Sequence, residues 1–179
     1  MTMKMKMKFL PLFLPLMLLA GVRSDSLSGG VRSDSCSHLL HDDITREALR
    51  QTADVVRMLP KEEKYSGRHR LLPRFCTNCS QRLIGWLELR DLMDVYQRSV
   101  FSRLAVRKLL SPEYKALLYR IQHTLQLCVS SPTPSKWYEA IKKMEKKIKK
   151  KRRDERALKA VREFNFVLNW INELQHQNM

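Results

Sequence analysis

The sequence has little of what builds sheets, tight turns or a catalytic centre. Five glycines and seven prolines among 179 residues exclude collagen-like and loop-dominated designs. No segment alternates apolar and polar residues over strand length, and no Asn-Gly or Asp-Gly pair offers a hairpin turn. A Gly-rich phosphate loop, a His-Glu-x-x-His and a Gly-x-Ser-x-Gly are all missing. The five histidines, at 38, 41, 69, 123 and 176, are scattered without metal-ligand spacing. These absences argue against an enzyme and imply neither a metal nor a cofactor. Four cysteines are too few for a disulfide-dense mini-scaffold, yet enough for two bridges. Acid is scarce as well: 18 Asp and Glu face 34 Lys and Arg, a formal net charge of +16. Such a surplus predicts contact with polyanions without making that contact the function.

Long apolar runs are confined to one place. Lys4, Lys6 and Lys8 precede an apolar run from Phe9 to Ala20, and small residues follow it. The run is too short to span a bilayer and matches a secretory signal peptide over residues 1–24. Gly21-Val22-Arg23-Ser24-Asp25-Ser26 recurs as Gly30-Val31-Arg32-Ser33-Asp34-Ser35, so cleavage is expected anywhere between 20 and 33. Having no apolar face to bury, residues 25–41 read as a disordered mature N-terminus. Residues 42–179 remain for a folded domain in an oxidising, extracellular compartment. Loss of 1–24 leaves 30 basic residues against 18 acidic ones.

That domain reads as all-α. A first helix is predicted from Asp43 to Leu59, with Ile44, Ala48, Val55 and Leu59 on one face and Pro60 ending it. A long helix is expected over Ser80–Ser102. Its two apolar stripes, Leu83-Ile84-Leu87 and Trp86-Leu89-Met93-Tyr96-Val100, are out of register, which requires a kink near Gly85 or a later start. Ser111 and Pro112 form a good N-terminus for a helix burying Tyr114, Leu118, Ile121 and Leu125. After a linker at 129–134, helices are predicted from Lys136 to Arg153 and from Asp154 to Gln175. On the last one Ala157, Ala160, Val161, Phe164, Val167, Leu168, Ile171 and Leu174 cover one broad face. Roughly five or six helices in such a length describe a bundle.

In a secreted chain, Cys36, Cys76, Cys79 and Cys128 are expected to be oxidised. Their spacing alone leaves three connectivities open. The Cys76-Thr77-Asn78-Cys79 spacing lacks the strand–helix setting of a redox motif and the second ligand pair of a zinc site. Asn78-Cys79-Ser80 matches a glycosylation acceptor, but a disulfide at Cys79 would hinder its use.

Between Lys136 and Lys159 twelve basic residues meet four acids. Trp137, Ile141, Met144 and Ile148 make a narrow apolar stripe. Lys142, Lys143, Lys146, Lys147, Lys149, Lys150, Lys151, Arg152 and Arg153 crowd the rest, the pattern of a basic amphipathic helix. Like charges this close repel one another, and a polyanion would relieve them: a glycosaminoglycan such as heparan sulfate, DNA, or an anionic membrane surface. No base-reading motif accompanies the charge.

The last helix carries a more specific signal. Lys159-Ala160-Val161-Arg162-Glu163-Phe164-Asn165-Phe166-Val167-Leu168-Asn169-Trp170-Ile171 resembles the C-terminal helix of the interleukin-10 family, with its Lys-Ala, acidic–aromatic pair and closing aromatic-Ile. The resemblance covers about Cys36 to Gln175 and is weak in the long helix. It implies a six-helix class II cytokine bundle, able to form an intertwined homodimer. It also implies a heterodimeric class II cytokine receptor of an R1-type and an R2-type chain, signalling through Janus kinases and STAT factors. By family position the receptor face would include Lys159, Arg162, Asn165 and Asn172. Phe166 and Trp170, outside the main apolar sector, are expected to pack on a second chain. The resemblance favours a Cys36–Cys128 bridge, leaving Cys76 and Cys79 to pair or one of them free. It departs from the family in having a lone Cys128, with serines at 130 and 131, and a doubled cysteine at 76 and 79.

Overall fold

Apolar residues spaced three and four apart recur through most of the domain, and helices form wherever they do. The computed structural model describes residues 34–60, 70–80, 82–131, 133–150 and 153–177. Among the described residues seven α-helices run in the order α1 (Asp34–Leu39), α2 (Asp42–Met58), α3 (Trp86–Tyr96), α4 (Leu104–Arg107), α5 (Pro112–Cys128), α6 (Tyr138–Lys149) and α7 (Arg153–His176). A π-helical turn, Gln97–Phe101, extends α3. No strand occurs among the described residues beyond an isolated bridge of Cys76 with Leu83. The all-α expectation holds at that level.

Helix α7 is the axis of the bundle. It touches α1, α2, α3, α4, α6 and the π turn, and packs most extensively on α2. All eight apolar residues of its expected inner face are buried. Against them lie Ile44, Ala48 and Val55 of α2, Leu89, Met93 and Tyr96 of α3, and Ile141, Met144 and Ile148 of α6. Each element thus buries the stripe its sequence spacing creates.

Several boundaries differ from the sequence reading. Residues 34–41 are not disordered: α1 packs on α5 and α7, Cys36 and Leu40 are fully buried, and Gln175 donates its side-chain amide to the Leu40 carbonyl. The cysteine supplies the anchor that a nonpolar face did not. Residues 1–33, with the signal-peptide and cleavage expectations, lie outside the described residues. Of the two accounts of the long helix, the late start is the one observed. Gly85 is extended at the N-cap, and Glu88 reaches back to accept its N–H at 2.9 Å. Residues 80 and 82–85 are therefore not helical, which is why Leu83 and Ile84 fell out of register. At α5 the Ser111 hydroxyl accepts the Tyr114 N–H at 3.0 Å, as its sequence position predicts. The expected Lys136–Arg153 helix is shorter at both ends, as α6, and α4 had no sequence signal. The 129–131 linker is held to its own chain by the Arg90 guanidinium, which donates to the Val129 and Ser131 carbonyls at 3.0 and 3.2 Å.

Two disulfides fix the irregular parts. Cys36–Cys128 joins α1 to the end of α5 across 92 residues, with Cα atoms 5.1 Å apart. Cys76–Cys79 closes a ring over a separation of 3.

Candidate functional site

Two surfaces draw together the residues singled out in the sequence: the outward side of α7 and the outward side of α6.

On α7, Phe166, Asn169, Glu173 and His176 are exposed at three- and four-residue spacing, so they share one outward stripe. Arg162, Asn165 and Asn172 flank it, each half-buried, and Lys159 is half-buried near the helix start. The fourteen residues from Lys159 to Asn172 span about 20 Å of helix axis. The four expected receptor residues are therefore spread along a ridge rather than gathered at one point. Phe166, Asn169 and Glu173, which the sequence reading did not assign to that face, form its most exposed part.

Side chains and backbone from the 70–79 loop build one edge of this ridge. Glu163, almost fully buried, accepts the Leu71 N–H through both oxygens at 3.0 Å and the Leu72 N–H at 2.8 Å. That carboxylate pins the loop across α7. Arg70 then lies over the Phe166 ring at 4.1 Å and near the Trp170 ring at 5.7 Å. Phe75 stands between Trp170 (5.7 Å) and Trp137 (5.8 Å). Trp170 is buried by these contacts, so it packs within its own chain and not on a second copy; Phe166 stays exposed. The Arg162 guanidinium donates to the Pro60 carbonyl, tying the ridge to the end of α2. Further along, the Thr77 hydroxyl donates to Glu173 and the Gln177 amide reaches the Thr77 carbonyl at 3.4 Å. An open groove of about 580 Å³ runs here between Phe75–Asn78 and Trp170–Gln177, with Asn172 on its wall. Asn78 is exposed but sits inside the Cys76–Cys79 ring, where its backbone cannot extend freely as a glycosylation acceptor must.

On α6, Ile141, Met144 and Ile148 are buried, and Lys142, Lys143, Lys146, Lys147, Lys149 and Lys150 are all exposed. Trp137 is half-buried, its indole N–H donating to the Leu83 carbonyl at 3.2 Å. The six amines emerge along about 12 Å of helix. Lys149 meets Glu145 at 2.7 Å, and Lys142 lies 5.3 Å from the Tyr138 ring. Lys143, Lys146, Lys147 and Lys150 have no ion-pair partner among the described residues. Lys151 and Arg152 lie outside the described residues, and Arg153 opens α7.

Glu145 fastens this basic helix to the bundle. It accepts from Ser99 at 2.9 Å and from Arg98 at 3.4 Å, besides Lys149. Burial pushes its carboxyl pKa up, but the donations from Lys149, Ser99 and Arg98 outweigh this and hold it below the ordinary value of 4.5. A lowered folded-state pKa stabilises the fold above the unfolded value, and the contribution is lost as pH falls through the folded one. The thermal midpoint should therefore drop on acidification below pH 4.5 more steeply in the wild type than in Glu145→Gln. Parallel melting curves of the two proteins would show that Glu145 does not anchor α6.

No group of three or more His, Cys, Asp or Glu among the described residues could hold a metal ion, and no described helix is long and apolar enough to cross a membrane. No family model, curated protein or solved structure matches the chain.

Proposed function

We propose that the chain is a secreted helical cytokine of the interleukin-10 type, most like interleukin-26. In this reading it binds an R1-type and an R2-type class II receptor chain and triggers Janus kinase/STAT signalling in immune or epithelial defence. The observation that carries the reading is α7. Its sequence carries the family resemblance, its inner face organises the bundle, and its outer ridge is buttressed by the 70–79 loop through Glu163, Arg70 and Phe75. A rigid, half-polar ridge with an exposed aromatic is suited to be a contact hot spot. The Cys36–Cys128 bridge also agrees with the pairing that the resemblance favours. A homodimer remains part of the reading, although Trp170 no longer argues for it.

The basic side of α6 adds a second property: attachment to glycosaminoglycan, DNA or anionic membrane. It also supports a second reading, a directly acting cationic host-defence protein. Four exposed lysines on one stretch, without an ion-pair partner among the described residues, are the specific observation behind it.

The two readings separate in cells reconstituted with a class II receptor pair. The purified chain should raise STAT phosphorylation, and Asn169→Arg with Phe166→Ala on α7 should reduce it about 10-fold or more. Gln in place of Lys142, Lys143, Lys146, Lys147 and Lys150 should leave signalling intact at saturating dose. Absence of STAT phosphorylation, with bacterial killing or DNA condensation that the lysine changes abolish, would favour the host-defence reading.

A further inference from the structure

We propose that Cys76–Cys79 is a thiol–disulfide exchange site. A dithiol reductant opens it while Cys36–Cys128 stays closed, and its opening releases residues 77–79 from the end of α7.

The two bridges differ in access and in what their opening would expose. Cys36 is fully buried. Attack on the half-buried Cys128 sulfur would have to expel the Cys36 thiolate into the apolar core, where a thiolate is a poor leaving group. Cys76 and Cys79 are both half-buried, as Cys128 is, but neither has a fully buried partner, so either sulfur can be reached and either thiolate can leave toward water. The surroundings also differ. Cys36 and Cys128 are held on packed helices that keep the sulfurs together, whereas Cys76 and Cys79 lie outside any helix.

The small ring is joined to the bundle at identifiable points. Phe75 is fixed between two tryptophans on one side, and buried Ile84 donates its N–H to the Cys76 carbonyl at 2.9 Å on the other. Cys76 returns its own N–H to the Arg82 carbonyl at 3.1 Å. Between these anchors, Thr77 reaches Glu173 and Gln177 of the α7 end. With the bridge open, Phe75 and Ile84 stay packed and only the intervening loop gains freedom. The groove against α7 is thus the part of the surface that changes.

In the exchange, a reductant thiolate attacks one sulfur of the bridge. That S–S bond breaks with its electron pair leaving on the other cysteine, and a mixed disulfide forms. The reductant's second thiolate then attacks the mixed disulfide, frees the remaining cysteine and leaves the reductant as a disulfide. Two electrons pass from the dithiol to the bridge, and the two protons it sheds end on Cys76 and Cys79.

The proposal holds whether or not α7 binds a receptor. Its test is graded dithiothreitol on the native, oxidised chain, quenched with iodoacetamide and mapped by mass spectrometry. Cys76 and Cys79 should be labelled at dithiothreitol concentrations roughly tenfold below those that label Cys36 or Cys128. In the selectively reduced chain, amide exchange across 77–79 should accelerate roughly tenfold, with exchange at Ile84 and the far-ultraviolet circular dichroism unchanged. Cys76→Ser/Cys79→Ser should match the reduced chain and ignore low dithiothreitol. Both bridges opening together, Cys36–Cys128 opening first, or exchange across 77–79 unaltered by selective reduction would each overturn it.

Discussion

Replacing Phe164 with alanine is expected to lower the free energy of unfolding by about 4 kcal/mol, measured by urea denaturation with both disulfides intact. Phe164 is fully buried on the inner face of α7. Its ring lies 4.7 Å from Tyr96 and 5.0 Å from Phe101, the latter edge-on. Removing it takes away the apolar contact and leaves a void between α7 and the α3 segment that carries Tyr96 and Phe101. The Tyr96 hydroxyl donates to the Ala160 carbonyl at 3.1 Å, one turn before Phe164 on the same helix. Burial, with the Glu163 charge added, pushes the Tyr96 pKa well up, so this hydroxyl keeps its proton and its donation. The cavity would therefore open beside a buried polar contact, which raises the cost. Phe166→Ala supplies the comparison. That ring is 44% exposed, so its loss should cost less than about 1 kcal/mol. Equal costs at the two positions would mean that α7 is not the axis of the core.

The contrast between these phenylalanines was legible in the sequence, because period alone places Phe164 inside and Phe166 outside. The start of α5 was legible for the same local reason: Ser111, Pro112 and the apolar stripe lie within a few residues of one another. What escaped the sequence reading depends on partners far along the chain. Glu163 looks like any surface acid of an amphipathic helix, yet its carboxylate satisfies backbone N–H groups 91 and 92 residues away. Trp170 falls outside the apolar sector of α7 and was assigned to a second chain. It is buried because Phe75, from an irregular loop, comes to cover it. No periodicity fixes the path of such a loop. Residues 34–41 were missed in the same way, since their order comes from Cys36 and its partner on α5. The α7 ridge was thus half legible: the helix was found, but the loop that shapes one side of it was not. The exposure of Lys142 to Lys150 on α6 was legible, because charge density is a property of the sequence itself.

That face gives the second large effect. Changing Lys142, Lys143, Lys146, Lys147 and Lys150 together to Gln should weaken binding to heparin or duplex DNA roughly 10²- to 10³-fold at physiological salt. The estimate assumes that three or four of the five amines reach one polyanion at once, each releasing close to one counterion. The slope of log affinity against log salt should accordingly flatten by about three. Lys149 is left in place because it serves Glu145 at 2.7 Å, so the attachment of α6 to Ser99 and Arg98 is undisturbed. Stability is the internal control. The lysine pairs 142–146, 143–147 and 146–150 repel at four-residue spacing, a few tenths of a kcal/mol each. Neutralising them should leave the thermal midpoint equal or slightly higher. A loss of affinity with an unchanged or raised midpoint assigns polyanion binding to the outer face of α6. Affinity and salt slope that survive the five changes would move that binding to another surface and leave these lysines as solvated charge.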